Sequence, residues 1–530
     1  MNIVAIISFV VILVCIYLYA FKQSRKVDQK DAEGYLLGGR SLVGITVGMS
    51  IIMTNLSTEQ LVGQNGQSYV MGMEVMAWEV TAAIAIVIGA WVFIPKYFQY
   101  GVNTISDFIE IRFDTTTKRI VSILFIFTYV VSFMPVVLYS GSLIFNDLFG
   151  ISDLLGVGDL TAVVIIAVLI GVIGIFYLFA GGLSLIANSD FIYGIGLLVG
   201  GMLITILGFV ALGDSSFLNG VDKVITNTPD KLNAWGAVDS DIVPWPTLFF
   251  GMLFNNLYFW CTNQMIVQKS LAAKNMKEAQ KGMMYVGFFK ISGAFFLVLP
   301  GIIAFNLFGG DLEMDSSYPA LVANVLPEWG YGIFGAVVFG AIMSSFVGSL
   351  NATVTLFSYD FYKPIINKTA DNKQLAKAGR NATLIIGLIT VILAPAISIF
   401  PQGLYAVIQE FNGVFSMPLL AIILVGFYSR KTSATGAKWT FAFHVVTYSL
   451  SKVVIPDVHY LYVWSVLFFI DLAIILAFSR IKAEKTSFEF DKYTNKVDIT
   501  PWKHSIPIGI FILVLVVGMY TIFSPLVLAN

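Results

Sequence analysis

Met53-Thr54-Asn55-Leu56-Ser57-Thr58-Glu59-Gln60 interrupts the otherwise apolar stretch 42–66, and six of its eight residues are polar. An unbroken helix facing lipid does not tolerate this, because hydrocarbon offers its polar groups no partners. A discontinuous helix lining a cavity does, and its freed carbonyls can hold a cation. The alternative is that the span ends at Asn55 and the rest is loop. A second stretch repeats the anomaly. Asn255-Asn256-Leu257-Tyr258-Phe259-Trp260-Cys261-Thr262-Asn263-Gln264 interleaves amides and aromatics inside residues 244–267. Amides pair with hydroxyls and aromatic faces with CH groups, the two surfaces a sugar presents. An interfacial aromatic belt is the alternative there.

The surrounding composition fixes the class. Of 530 residues, 57% are hydrophobic and only 12% charged, with a mean hydropathy of +0.84. Soluble chains carry about 25% charged residues, so a soluble enzyme, a disordered chain and a fibrous repeat are excluded. Thirty-one basic residues against 32 acidic ones leave a net charge of −1, which gives no reason to expect nucleic acid. Cys15 and Cys261 are too few for a disulfide framework or a four-cysteine zinc site, and both read as packing residues. His444, His459 and His504 have no metal-ligand spacing. The expectation is an all-α polytopic membrane protein in the cell membrane, with the lipid bilayer as its surroundings.

A spanning helix needs about 20 mostly apolar residues. Fourteen candidates satisfy this: 3–21, 42–66, 74–95, 119–145, 159–180, 185–212, 244–267, 283–308, 327–357, 380–400, 403–428, 435–453, 458–479 and 505–528. The first lacks a small-residue cleavage site and is followed by Lys22, Arg25 and Lys26, so it reads as a retained helix rather than a signal peptide. Lys and Arg gather in the loops after spans 1, 3, 7, 9 and 13, with Lys269, Lys274, Lys277 and Lys281 in the third of these. Residues 146–158 and 309–325 hold none. By the positive-inside rule this places the odd loops in the cytoplasm and both termini outside.

Ionisable residues inside spans are costly and mark function. Glu79 in span 3 and Lys290 in span 8 are each expensive alone and tolerable together or around a polar ligand. Capping of a tilted helix and snorkelling are the alternatives. Asp190, after Ala180-Gly181-Gly182-Leu183-Ser184, is either part of an ion path or a carboxylate favoured at a helix N-terminus. Span 9 carries Ala336, Gly340, Ser344, Gly348 and Ala352 at four-residue spacing, a close-packing seam. Its Ser344 and Ser345 also offer hydroxyls which, with carbonyls of a broken helix, suit a hard monovalent cation such as sodium. Gln409, Glu410 and Asn412 precede Gly413 in span 11, and Asp471 in span 13 has no evident role.

The two broken spans, 2 and 7, are five spans apart, as are Glu79 and Lys290. Polar breaks in corresponding places of two halves point to a transporter site. Residues 42–212 and 244–428 then form two five-helix repeats. Five is odd, so the repeats have opposite orientation, with 1–41 and 429–530 as additions to one transmembrane domain covering 1–530.

At these residues the chain resembles the sodium:solute symporter family, its sodium–sugar branch in particular, over nearly the whole chain from Gly38-Gly39-Arg40-Ser41 to span 14. The specific blocks are Asn55-Leu56-Ser57-Thr58-Glu59-Gln60, Gly181-Gly182-Leu183-Ser184 with Asp190, Leu271-Ala272-Ala273-Lys274 with Glu278-Ala279-Gln280-Lys281-Gly282, and Ser344-Ser345 with Leu350-Asn351. The resemblance implies a LeuT-like 5+5 inverted repeat with discontinuous helices 2 and 7 that works by alternating access. It implies that Gln60, Glu79, Asn256, Lys290 and Gln409 hydrogen-bond a sugar. It implies that the carbonyls of Met53, Leu56 and Ala341 bind a sodium ion with the hydroxyls of Ser344 and Ser345. Tyr258 and Trp260 would form an aromatic floor and gate, and Phe259 stands where sugar transporters usually have a tyrosine over the ring. Met53 replaces a smaller residue, which a carbonyl ligand survives. Val347 and Gly348 stand where two-sodium relatives supply hydroxyls, so one sodium per sugar is expected.

The implied activity is sodium-coupled symport of a neutral, galactose- or glucose-like hexose. Another solute (a sialic acid, inositol, a sulfonated sugar or an amino acid) remains open, as does proton coupling through Glu79 or Asp190, or a role as sensor or channel. No spanning arginine favours an anion, and paired serines favour sodium over a proton. No nucleophile–base set or cofactor motif suggests an enzyme. The oligomeric state is open.

Overall fold

The computed structural model describes residues 3–327, 329–399, 409, 412–482 and 498–529. Glu410, the stretch 400–408 that closes expected span 10 and opens span 11, and most of the basic loop after span 13 lie outside it, as does the side chain of Glu59.

The first half of the chain runs through α1 (Ile3–Ser24), α2 (Gly44–Asn55), α3 (Thr58–Met71), α4 (Ala77–Ile88), α5 (Thr115–Thr128), α6 (Met134–Phe149) and α7 (Asp159–Leu212). The second half runs through α8 (Gly251–Thr262), α9 (Gln264–Leu271), α10 (Met276–Gly293), α11 (Gly330–Leu356) and α12 (Asn372–Leu393). It closes with α13 (Ser416–Tyr428), α14 (Ala434–Val454), α15 (Tyr460–Ile481) and α16 (Ser505–Ile522). Among the described residues, nine helical runs are long and apolar enough to cross a membrane, and Gly44–Asn55 and Ser416–Tyr428 are shorter apolar helices.

Burial separates the lipid-facing helices from the inner ones. Val4, Ile7, Val10, Val14 and Leu18 of α1 are exposed, as are Ile506, Ile510, Val514 and Val517 of α16. Apolar side chains in such numbers on an outer surface suit lipid, not water. Cys15 is exposed on this outer face rather than packed inside, whereas Cys261 is buried. The inner helices are α2, α4, α8, α10, α11 and α13. Nearly every residue of α11 from Val338 to Leu356 is buried.

Three local features position the site. The α2 helix leaves helical geometry at Leu56 (φ −85°, ψ 88°) and Ser57 (φ −102°, ψ −174°) before α3 begins. Leu56 N–H still donates to Ile52 O at 2.7 Å, but the carbonyls around the break no longer share one helical ladder. The chain breaks again at Asn263 (φ −72°, ψ 127°), whose side chain accepts the Met265 N–H at 3.1 Å and caps α9. The third is Gly182, with φ 55° and ψ −157° inside the 54-residue α7. At 1.5 Å per residue a straight helix of that length is about 80 Å long, far beyond a bilayer core of about 30 Å. The kink divides it into 159–181 and 183–212, close to spans 5 and 6 read from the sequence. A Cβ on Gly182 would lie 2.3 Å from Tyr35 O, so the left-handed turn and the close approach both require glycine.

Candidate functional site

Residues flanking the first break and residues of α8 before the second come together in the bundle. There a cavity of about 50 Å³ is lined by Gln60 of α3, Trp78 and Glu79 of α4, Asn255, Asn256, Phe259 and Trp260 of α8, Lys290 of α10, and Gln409 and Asn412. Gln60, Glu79, Asn256, Lys290 and Gln409 are thus brought together from five chain segments separated by up to about 350 positions. Asn55 and Phe133 complete the lining. Tyr258 is buried away from this lining, its ring edge-on to Phe415 at 5.9 Å.

Glu79 and Lys290 form an ion pair of 2.6 Å, with side chains 1% and 2% exposed. Neither caps nor snorkels. Gln64 Nε2 donates to the other Glu79 oxygen at 3.0 Å, and the Lys290 ammonium stands 5.1 Å from the centre of the Trp260 ring. Gly293 makes room for the carboxylate, since a Cβ there would sit 2.8 Å from Glu79 Oε2. Asn55 Oδ1, Gln60 Oε1 and Asn256 Nδ2 are buried with no hydrogen-bond partner within the described protein. A buried polar atom left so costs about 1–3 kcal/mol. Two acceptors and one donor thus border a cavity that four aromatic rings and one neutralised ion pair also line. About 10–15 Å³ of such volume holds one water, so the cavity has room for a few.

On the other side of the α2 break, α11 supplies hydroxyls. Ser345 Oγ donates toward Met53 O at 3.2 Å and Thr54 O at 3.0 Å. Ser344 Oγ lies 3.2 Å from Thr54 Oγ1. Ala341 stands one turn before Ser345 on the same buried face. Met53, Ser344 and Ser345 therefore meet, beside the break at Leu56, as a cluster of oxygen donors fit for a hard monovalent cation. Asp190 is wholly buried, and Ser50 Oγ donates to it at 2.5 Å, which removes it from the solvated first turn of a helix.

Sequence reasoning missed two partners. Lys269 reads as one of four lysines in a basic cytoplasmic loop. It lies instead within α9, 1% exposed, 3.1 Å from Asp190 Oδ2. The break at Asn263 turns the chain inward, so a residue past the hydropathy edge of the span points back into the bundle. Asp471, without a role in sequence, has its Oδ2 2.7 Å from His444 Nδ1 in a hydrogen bond, while His444 Nε2 donates to Gly413 O at 2.9 Å. The pair ties α14 and α15 to the turn that follows Gln409 and Asn412. No spacing pattern betrays either contact.

The sodium:solute symporter family model matches residues 35–443. An uncharacterized symporter of Escherichia coli K12, YidK, is 40% identical over 521 residues, covering 98% of this chain and 91% of that one. A sodium/glucose cotransporter of Vibrio parahaemolyticus is 30% identical over 458 residues, covering 82% of each. Among solved structures, the substrate-bound outward-open state of a Na+-coupled sialic acid symporter superposes with a TM-score of 0.77 at 18% identity, covering 91% of this chain and 99% of that one. That likeness shows a common helical fold. The protein is a multi-pass transporter that couples a solute to sodium, not an enzyme, and it belongs to the sodium:solute symporter family.

Proposed function

We propose that the chain imports a neutral hexose-like sugar with one sodium ion per cycle, by alternating access. The observation that carries the sugar is the set of unpartnered buried atoms, Asn55 Oδ1, Gln60 Oε1 and Asn256 Nδ2, around the Glu79–Lys290 pair. Gln60, Glu79, Asn256, Lys290 and Gln409 hydrogen-bond the hydroxyls, and Phe259 and Trp260 take the ring faces. Among the described lining residues Glu79 and Lys290 are the charged groups, and they cancel. That balance favours a neutral solute over a sialic acid or a sulfonated sugar.

Sodium binds at Met53, Leu56, Ala341, Ser344 and Ser345 and draws the broken α2–α3 segment against α11. This orders the cavity between repeats 42–212 and 244–428 in a fourteen-span, 5+5 inverted arrangement with both termini outside. Residues 1–41 and 429–530 flank that core. Each ligand favours the same state, so the coupling is reciprocal. An inward potential of 100 mV adds about 2.3 kcal/mol per charge.

The test is uptake of labelled galactose and glucose into proteoliposomes under an imposed sodium gradient against a proton gradient. Sodium-driven accumulation of either sugar supports the reading. Accumulation driven by protons alone overturns the coupling ion. No accumulation overturns the hexose and turns the search to acidic, aminated or sulfonated solutes.

A further inference from the structure

Lys269 is not accounted for by sugar or sodium binding, yet it is among the most deeply buried side chains in the protein. Its ammonium donates to Ser50 O at 2.9 Å, to Ser50 Oγ at 2.7 Å, to Asp190 Oδ2 at 3.1 Å and to Thr54 Oγ1. One carbonyl, two hydroxyls and one carboxylate form the hard oxygen set that otherwise coordinates a sodium ion. The set adjoins the Met53–Ser344–Ser345 cluster directly. Thr54 Oγ1 contacts both the ammonium and Ser344 Oγ. Gly348 leaves the space for the lysine tip, since a Cβ there would lie 2.9 Å from Thr54 Oγ1 and 3.6 Å from Lys269 Nζ. A carboxylate this deep is costly unless it is paired, and Lys269 brings an amine within 3.1 Å of it.

We propose that the Lys269 ammonium is a tethered resident cation, filling a second cation position beside the sodium site and limiting the protein to one sodium ion per cycle. It rests on the reading of Ser344 and Ser345 as the sodium site. Removing the ammonium but keeping Asp190 then recruits a second sodium ion. Removing Asp190 but keeping the ammonium sets an uncompensated positive charge against the first.

Equilibrium binding of radiolabelled sodium to the purified full-length protein tests this without knowledge of the solute. Wild type binds one ion per chain with a Hill coefficient of one. Lys269→Ala is expected to bind two, with the Hill coefficient moving toward two. Asp190→Asn is expected to weaken sodium binding by about tenfold or more. The double variant Lys269→Ala/Asp190→Asn returns to one ion at near wild-type affinity. One ion bound by Lys269→Ala overturns the proposal. Should that variant fail to fold, the other two decide: sodium affinity unchanged in Asp190→Asn, or unrestored in the double variant, overturns it. Ser345→Ala separates the two readings. If it leaves sodium binding intact, the sodium site itself is misplaced. If it weakens sodium while Lys269→Ala still binds one ion, only the tethered cation falls.

Discussion

Two lysine–carboxylate pairs lie buried on opposite sides of the same helix break, and they differ in what they leave unsatisfied. Glu79 and Lys290 border a cavity, and among the described residues the Lys290 ammonium hydrogen-bonds to Glu79 alone and faces the Trp260 ring. Asp190 and Lys269 are sealed. That ammonium has oxygen partners on every side, and the carboxylate also takes the Ser50 hydroxyl at 2.5 Å. The first pair is an open polar site with donors to spare. The second is closed and complete in itself. Burying an ion pair brings little stability by itself, because desolvation offsets the attraction. The difference in free hydrogen-bonding capacity is therefore what separates a ligand-binding pair from one that fixes local charge.

The largest expected effect comes from opening the cavity pair. Glu79→Gln strands the Lys290 ammonium, which costs about 3–5 kcal/mol. It should lower the thermal unfolding temperature of the purified protein and abolish sugar uptake while labelled sodium still binds. An equal loss of sodium affinity would show that the two pairs act as one. Gly182→Ala attacks the closed pair from a distance. It forces a left-handed residue and a Cβ against Tyr35 O, at about 1–3 kcal/mol, and shifts the half of α7 that carries Asp190. Thermal unfolding and sodium titration together should show lower stability, with sodium affinity falling before sugar affinity. Next come the single ligand groups. Gln60→Ala and Ser345→Ala each remove a hydrogen-bonding group worth about 1.4 kcal/mol, which is about tenfold. Initial-rate uptake should show the first raising the sugar KM and the second the sodium KM. Either variant moving the other's constant by the same factor would merge the sites. The smallest effect belongs to Trp260→Phe, which weakens the contact over Lys290 by about 0.5–1 kcal/mol and should raise the sugar KM only a few-fold in the same assay.

Much of the architecture was legible because hydropathy is a local property. A run of apolar residues must span or be buried wherever it lies. The polar interruptions at 53–60 and 255–264 had to be broken or cavity-lining, since lipid satisfies no backbone group. Glu79 and Lys290 were recognisable as partners for the same reason: each is unaffordable alone within an apolar run. The residue types at Ser344 and Ser345 pointed to a hard cation before any contact was known.

The sequence by itself thus determined the membrane class, the approximate spans, the family and the residue types that meet at the cavity. Only the tertiary structure decided which charges cancel. Lys269 sits 79 positions from Asp190 and beside three lysines that read as a basic loop, and only the turn at Asn263 directs it inward. His444 and Asp471, 27 positions apart on neighbouring helices, meet at Gly413. Hydropathy records the mean environment of a window of residues, whereas a buried ion pair depends on the direction of two particular side chains across a helix interface. That direction is set by packing.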